Sequence, residues 1–208
     1  MTLKIYGIAA SRAVRPLWVA EEMGLRYEHI AQRYQGGATH TPGFLALNPN
    51  GHIPVVDDDG IIVWESMACA LYLARRFGAD QSDSIAPHTH REEAESLRWT
   101  FWTVTELEKD ALTVLMHRLA MPAEQRKSEL AEAAEKRLAA PLRVLEQHLQ
   151  ACTYVAGERF TVADVTVASV VNWARPATAL MGSLPRTQEW LLACLARPAY
   201  ARAKAMGV

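Results

Sequence analysis

Every stretch that reads as a β-strand lies before residue 65, and from there to residue 208 the periodicity is helical. That asymmetry limits the fold more than any other feature of the chain. Within the first part, Leu3-Lys4-Ile5-Tyr6 is a short strand, and Gly7 to Ser11 is a loop of small residues. A helical pattern follows with Val14, Leu17, Trp18 and Met23 on one face, stopping at Gly24. Pro16 falls near its first turn, where a missing N–H costs least. Tyr27-Glu28-His29-Ile30 suits a second strand. Thr41-Pro42 pairs an N-cap with proline at the first helical position and opens a short helix that ends before Asn48-Pro49. Val55-Val56 and Ile61-Ile62-Val63-Trp64, joined by Asp57-Asp58-Asp59-Gly60, form an antiparallel hairpin. Met67, Ala70, Leu71, Ala74 and Phe77 then make a helical stripe closed by Gly78. The expected order is β-α-β-α-β-β-α.

The polar run around 80–90, with Gln81-Ser82-Asp83-Ser84 and Pro87, reads as a boundary. The reading is therefore an α/β domain over 1–80 followed by an all-α domain over 87–208. In the second domain, one helical pattern covers 91–118. Another runs from about Ala123 to Gln150 with Leu138, Leu142, Leu145 and Leu149 on one face, and Pro141 predicts a kink in it. The stretch from Phe160 through Val165, Val167, Val170 and Val171 is apolar nearly all round, as a central buried helix would be. A last pattern over 187–196 is broken by Pro198.

Composition removes several function classes. A formal net charge of -1 offers no electrostatic reason for nucleic acid or an anionic membrane as partner. No apolar stretch is long enough to span a bilayer, and residues 1–6 enter a strand directly rather than a targeting core. Cys69, Cys152 and Cys194 sit in apolar helical stretches and read as buried thiols, not as a disulfide framework or zinc site. His88 and His90 form the one close histidine pair, without a third ligand, so no metal is expected. The expectation is a soluble, cytoplasmic protein.

Two dipeptides invite a chemical reading. Ile53-Pro54 stands at the entrance to a hairpin strand, where a cis bond would turn the Ile53 N–H and C=O towards an extended peptide ligand, and a trans proline would simply start an edge strand. Glu65-Ser66 stands at the start of a helix. Its hydroxyl and free N–H groups suit a carboxylate, and the Glu65 carboxylate suits an ammonium group, although plain helix capping explains the same residues.

The run "NPNGHIPVV" followed by "WESMACALYLARRFG" resembles the glutathione-binding half of cytosolic glutathione transferases, and "YVAGERFTVADVTVASVVNW" is similar to the capped central helix of their second domain. The resemblance covers essentially the whole chain. It implies a thioredoxin-like N-terminal domain, an all-helical C-terminal domain, a homodimer, glutathione as co-substrate and no metal. It also implies that Thr161 and Asp164 form a capping box with Phe160 packed on Val165. By resemblance, Ile53 offers its backbone to the cysteinyl residue with Pro54 in cis, Glu65 and Ser66 hold the γ-glutamyl end, and His52 contacts the tripeptide.

The family needs a thiolate, and "GIAASRAVRP" offers one hydroxyl, Ser11, as its stabiliser and as the cap of the first helix. The Ser11-Arg12-Ala13-x-Arg15 pattern resembles a group of bacterial members, and Arg12 and Arg15 read as surface or interface charges, with a raised local positive potential as the alternative for either. Without a cysteine over 8–12, mixed-disulfide chemistry is disfavoured. The implied function is a detoxifying transferase that directs the glutathione thiolate at small hydrophobic electrophiles, with Trp99 and Trp102 as candidate pocket residues. Isomerase, dehalogenase or etherase chemistry on the same scaffold, or a non-catalytic binding protein, are the alternatives.

Overall fold

The computed structural model describes residues 2–207, and the chain divides into two compact units. The first begins with β1 (Leu3–Tyr6), α1 (Val14–Glu22), β2 (Glu28–Ile30), α2 (Pro42–Leu47), β3 (Val55–Asp58), β4 (Ile61–Trp64) and α3 (Ser66–Gly78). This is the thioredoxin-like order expected from the sequence. The sheet runs β2-β1-β3-β4, with β1 parallel to β2 and antiparallel to β3, and β3 antiparallel to β4. Alternation along β1 sends Leu3 and Ile5 into the core and leaves Lys4 and Tyr6 half-buried. Leu17, Trp18 and Val19 of α1 and Leu73 and Ala74 of α3 are wholly buried, and α1 packs on α3. Each such large apolar side chain contributes about 1.5–3 kcal/mol by leaving water.

The local signals hold. Thr41 Oγ1 accepts from the Phe44 N–H and caps α2 with Pro42 at its first turn. Asp59 (φ 54) and Gly60 (φ 94) turn the hairpin in the left-handed region.

The second unit spans Thr89–Leu195. It contains α4 (His90–Trp102), α5 (Glu108–Leu115), α6 (Ser128–Ala151), α7 (Val162–Ala174), α8 (Thr178–Gly182) and α9 (Pro185–Leu195). The single helix expected over 91–118 is helical throughout but passes through two π-helical turns, Thr103–Leu107 and Met116–Ala120. The pattern expected from Ala123 opens as one 3₁₀ turn, and α6 itself begins at Ser128 and continues unbroken past Pro141. Ala131, Ala134, Leu138, Leu142, Leu145 and Leu149 form its buried stripe, each three or four residues from the next.

The helix α7 is the buried centre of this unit, and its N-terminus carries the expected capping box of Thr161 and Asp164. Asp164 does more than cap. Its carboxylate accepts from the backbone N–H groups of Val155 (2.9 Å) and Thr161 (2.8 Å) and from Trp190 Nε1 of α9 (2.9 Å). Burial pushes the carboxyl above its usual range, and those donated bonds pull it back. Glu146 of α6 plays a similar part, accepting from the N–H groups of Arg186 (3.1 Å) and Thr187 (2.8 Å) at the start of α9.

Pro198 does not only end the last helical pattern; it opens a further helix, α10 (Pro198–Lys204). That segment belongs to the first unit rather than to the helical one, which moves the residues from 196 onward out of the domain assigned to them by sequence. Arg197 grips Glu22 in a bidentate pair (2.6 and 2.8 Å), Arg202 bonds Glu21 (2.6 Å), and Tyr200 packs on Trp18 at 4.6 Å between ring centres. Beyond it the Met206 carbonyl accepts the Ala9 N–H (3.0 Å), so the chain's end is tied to the loop after β1.

Replacing Asp164 by Ala strands two backbone N–H groups and an indole N–H in the core, at about 1–3 kcal/mol each. Denaturant unfolding followed by tryptophan fluorescence should show a loss of at least about 3 kcal/mol for Asp164→Ala and a smaller one for Asp164→Asn, which keeps an acceptor.

Candidate active site

Strand register brings the sequence-predicted residues of the first unit to one end of the sheet. Val55 pairs with Tyr6 on one side and with Trp64 on the other. The segments just outside those pairs are therefore neighbours: Gly7 to Ser11 after β1, His52 to Pro54 before β3, and Glu65-Ser66 after β4. An added Cβ on Gly7 would stand 3.5 Å from the Ile53 Cβ and only 2.5 Å from the Ala13 Cβ. The close approach of these backbones at φ 139 explains glycine there.

Ile53-Pro54 is cis, one of the two alternatives that the local sequence left open. The loop before it is built by Asn48, which is only 2% exposed. Its amide donates to the His52 carbonyl (2.8 Å), while its Oδ1 accepts from the Asn50 N–H (3.0 Å) and side chain (3.1 Å). From the sequence Asn48 marked only the end of the short helix before it. Ile53 is half-buried and the His52 side chain is exposed.

Glu65 precedes α3 with φ 71 and ψ 115, a conformation that a non-glycine residue rarely holds. Its side chain is exposed and its carbonyl accepts the Cys69 N–H (2.8 Å), so the carboxylate is free to face a ligand while the backbone starts the helix. Ser66 behind it is buried, and its Oγ accepts a 2.7 Å hydrogen bond from Arg15 Nη1. Arg15 is 1% exposed. The surface or interface role expected for it is thus corrected: α1 is buried along most of its length, and the side chain extends through the interior to the start of α3. The sequence signal was a charge set inside the otherwise apolar run from Ala13 to Ala20.

Ser11 is half-buried in the turn that leads into α1. Its hydroxyl donates to the Ile8 carbonyl (2.7 Å) and accepts from the Ala13 N–H (3.1 Å), so it braces the turn before α1 and is not the helix cap expected from the sequence, a position that Ala13 holds. The Cys69 thiol is poorly placed to ionise. Cys69 lies buried in α3 and donates to the Val63 carbonyl (3.3 Å), and burial pushes it up to about 12.

In the helical unit, Trp99 is buried. It meets Trp102 edge-on at 4.8 Å and His148 of α6 at 4.6 Å, with its N–H donated to Glu95 (3.1 Å). Trp102 is half-buried. Among the described residues no group of three His, Cys, Asp or Glu side chains could hold a metal ion, and His90 reaches only Glu93 at 3.9 Å.

The chain is similar to known proteins over most of its length. Residues 1–75 match the family profile described as glutathione S-transferase, N-terminal domain, and residues 109–198 match glutathione S-transferase, C-terminal domain. The chain is 31% identical over 185 residues to glutathione S-transferase GstB of Escherichia coli (strain K12), covering 88% of each protein. It is 31% identical to glutathione S-transferase 3 of Zea mays, over 95% of this chain and 91% of that one. Among solved structures, the theta class glutathione S-transferase of Xanthomonas axonopodis pv. citri, determined with glutathione bound, superposes with a TM-score of 0.84 at 28% identity over 99% of this chain and 98% of that chain. With both halves matched and the sheet, cis-proline and helix α7 in their expected places, the chain belongs to the glutathione S-transferase family.

Proposed function

We propose that this transferase binds glutathione across the end of its sheet and turns the thiol into a nucleophile for small hydrophobic electrophiles. The observation that carries the reading is the convergence of Ser11, Ile53-Pro54 and Glu65-Ser66 through the Tyr6, Val55 and Trp64 register. Ile53 presents backbone groups to the cysteinyl residue, and His52 contacts the tripeptide from the exposed loop. Ser66 and the first N–H groups of α3 hold the γ-glutamyl carboxylate, and Glu65 takes its ammonium group.

Ser11 stabilises the thiolate. Its one proton goes to the Ile8 carbonyl in the structure described, and with sulfur beside it the hydroxyl rotates to donate to the anion instead. A free thiol titrates near 8.5, and a neutral donor contributes about 0.5–1.5 kcal/mol, which is roughly one unit of lowering. The positive end of α1 adds to it. Trp102 and Trp99, in edge-on contact at 4.8 Å, are the candidate electrophile-pocket residues of the helical unit.

The protein works as a cytoplasmic homodimer. Leu97 and Phe101 of α4 and Val104 of the π-helical turn after it are exposed, Phe101 at 64%, and the first unit exposes Ile61 and Trp64 on β4. Such faces suit a second copy better than water.

Ultraviolet titration of bound glutathione should find its thiol ionising below the free value, and Ser11→Ala should move it back up by about one unit. The rising limb of activity against pH then shifts to higher pH by the same amount, because thiolate forms only above that pKa. Retention of the wild-type limb would assign the task to backbone donors. Glu65→Gly should be neutral or stabilising by up to about 1 kcal/mol, since glycine tolerates φ 71, yet should weaken glutathione binding. Phe101→Glu should convert the dimer to monomer in sedimentation, and an unchanged mass would place the interface elsewhere.

A further inference from the structure

We infer that His29 of β2 and the Met206-Gly207 segment after α10 are positioning residues of the nucleophile loop, fixing Gly7 to Ala9 so that Ser11 meets the glutathione sulfur at hydrogen-bond distance. The inference rests on the thiolate role proposed for Ser11 and adds residues from two distant parts of the chain.

The loop between β1 and Ser11 is held by its backbone. The Gly7 N–H donates to the Ile30 carbonyl (2.9 Å), and the Ala9 N–H donates to the Met206 carbonyl (3.0 Å). His29 Nε2 lies 2.8 Å from the Gly7 carbonyl. A carbonyl only accepts, so that nitrogen carries the proton and donates it. Between these anchors, the Ile8 carbonyl accepts both the N–H (3.1 Å) and the hydroxyl (2.7 Å) of Ser11. Ala9 is buried, so its N–H would be costly to leave unpaired, and the segment after α10 is what satisfies it.

Packing joins the same groups. Gly207 has φ 72, and an added Cβ there would stand 3.2 Å from Ile8 Cγ2 and 3.4 Å from His29 Cε1. Glycine therefore lets the chain lie against the loop and the histidine at once, in a conformation that other residues resist. The segment is fixed in turn by α10, whose Arg202 bonds Glu21 of α1, and by the Tyr27 hydroxyl, 2.9 Å from Met206 Sδ. The loop before Ser11 and the helix after it are thus held by one stretch of chain.

Position matters because a hydrogen bond weakens steeply once its geometry is disturbed. When the Ser11 hydroxyl turns to the sulfur, the Ile8 carbonyl keeps the Ser11 N–H, so whatever holds Ile8 also holds the hydroxyl.

The test titrates the thiol of bound glutathione by ultraviolet absorbance in the wild type, Gly207→Val, His29→Ala, His29→Gln, Ser11→Ala and the double variant Ser11→Ala/Gly207→Val. Calorimetric binding of S-methylglutathione, which has no thiol to ionise, is measured alongside. Gly207→Val and His29→Ala should each raise the thiol titration by about half a pH unit, roughly a 3-fold loss of thiolate, and by less than Ser11→Ala does. Affinity for S-methylglutathione should change by less than about 2-fold, since its binding does not draw on the thiolate. His29→Gln offers an amide nitrogen near the place of Nε2 and should restore most of the wild-type titration. In the double variant the effect of Gly207→Val should vanish, because both changes act through one hydroxyl. A wild-type titration in Gly207→Val or in His29→Ala would overturn the inference, as would a Gly207→Val shift that persists in full without Ser11. If Gly207→Val does not fold, the His29 pair decides: a shift in His29→Ala that His29→Gln does not reverse overturns it. A wild-type titration in Ser11→Ala would instead overturn the thiolate role of Ser11, and a wild type that does not bind S-methylglutathione would overturn the proposed glutathione site.

Discussion

The carboxylate of Asp164 is the contact on which the helical unit depends. A wholly buried charge is tolerated only when its lone pairs are filled, and here they draw in the loop before α7, the N-terminus of α7 and the indole of α9. Three separate stretches of chain are thereby fixed to one group. Hydrophobic burial around α7 is larger in energy but has no direction, whereas a carboxylate with designated donors specifies which segments meet. Glu146 repeats the device at the start of α9, where two otherwise orphaned N–H groups find an acceptor from α6.

The first unit uses the opposite charge. Arg15 is buried as completely as the apolar residues around it, and its bond to Ser66 lies at the first turn of α3. That bond joins α1 to the start of α3. Glu65 shows the complementary arrangement. Its left-handed backbone is a conformation that stability alone would give to glycine, and the carboxylate is what glycine cannot supply. Sites of this kind carry their strain locally, and the neighbouring strand pairs Val55–Trp64 and Val55–Tyr6 hold it in place.

Much of this was legible from short-range signals. The Thr41-Pro42 cap, the Asp59-Gly60 turn, the hairpin and the stripe of α3 depend on residues within a few positions of one another, and each formed where it was expected. The capping box of α7, which the family resemblance implied, also joins partners only three residues apart. Signals failed where a local rule had two outcomes. Pro198 could end a helix or begin one, and it begins α10 because the segment has Glu21, Glu22 and Trp18 of α1 to pack against. Proline at 141, where a kink was expected, lies inside α6, which runs continuously through it along a buried stripe of leucines.

By itself, the sequence determined the order of elements and their caps and turns. These follow from backbone preferences and side-chain periodicity, which act over a turn or a strand. Only the tertiary structure decided the cis geometry at Pro54, the burial of Arg15 against Ser66, the role of Asn48 beneath the His52 loop, and the return of residues after Leu195 to the first unit. Each of those joins groups whose meeting depends on how whole elements pack. A charge in an apolar run looks like a surface residue until the partner that satisfies it, here 51 positions away, has been brought to it by the fold.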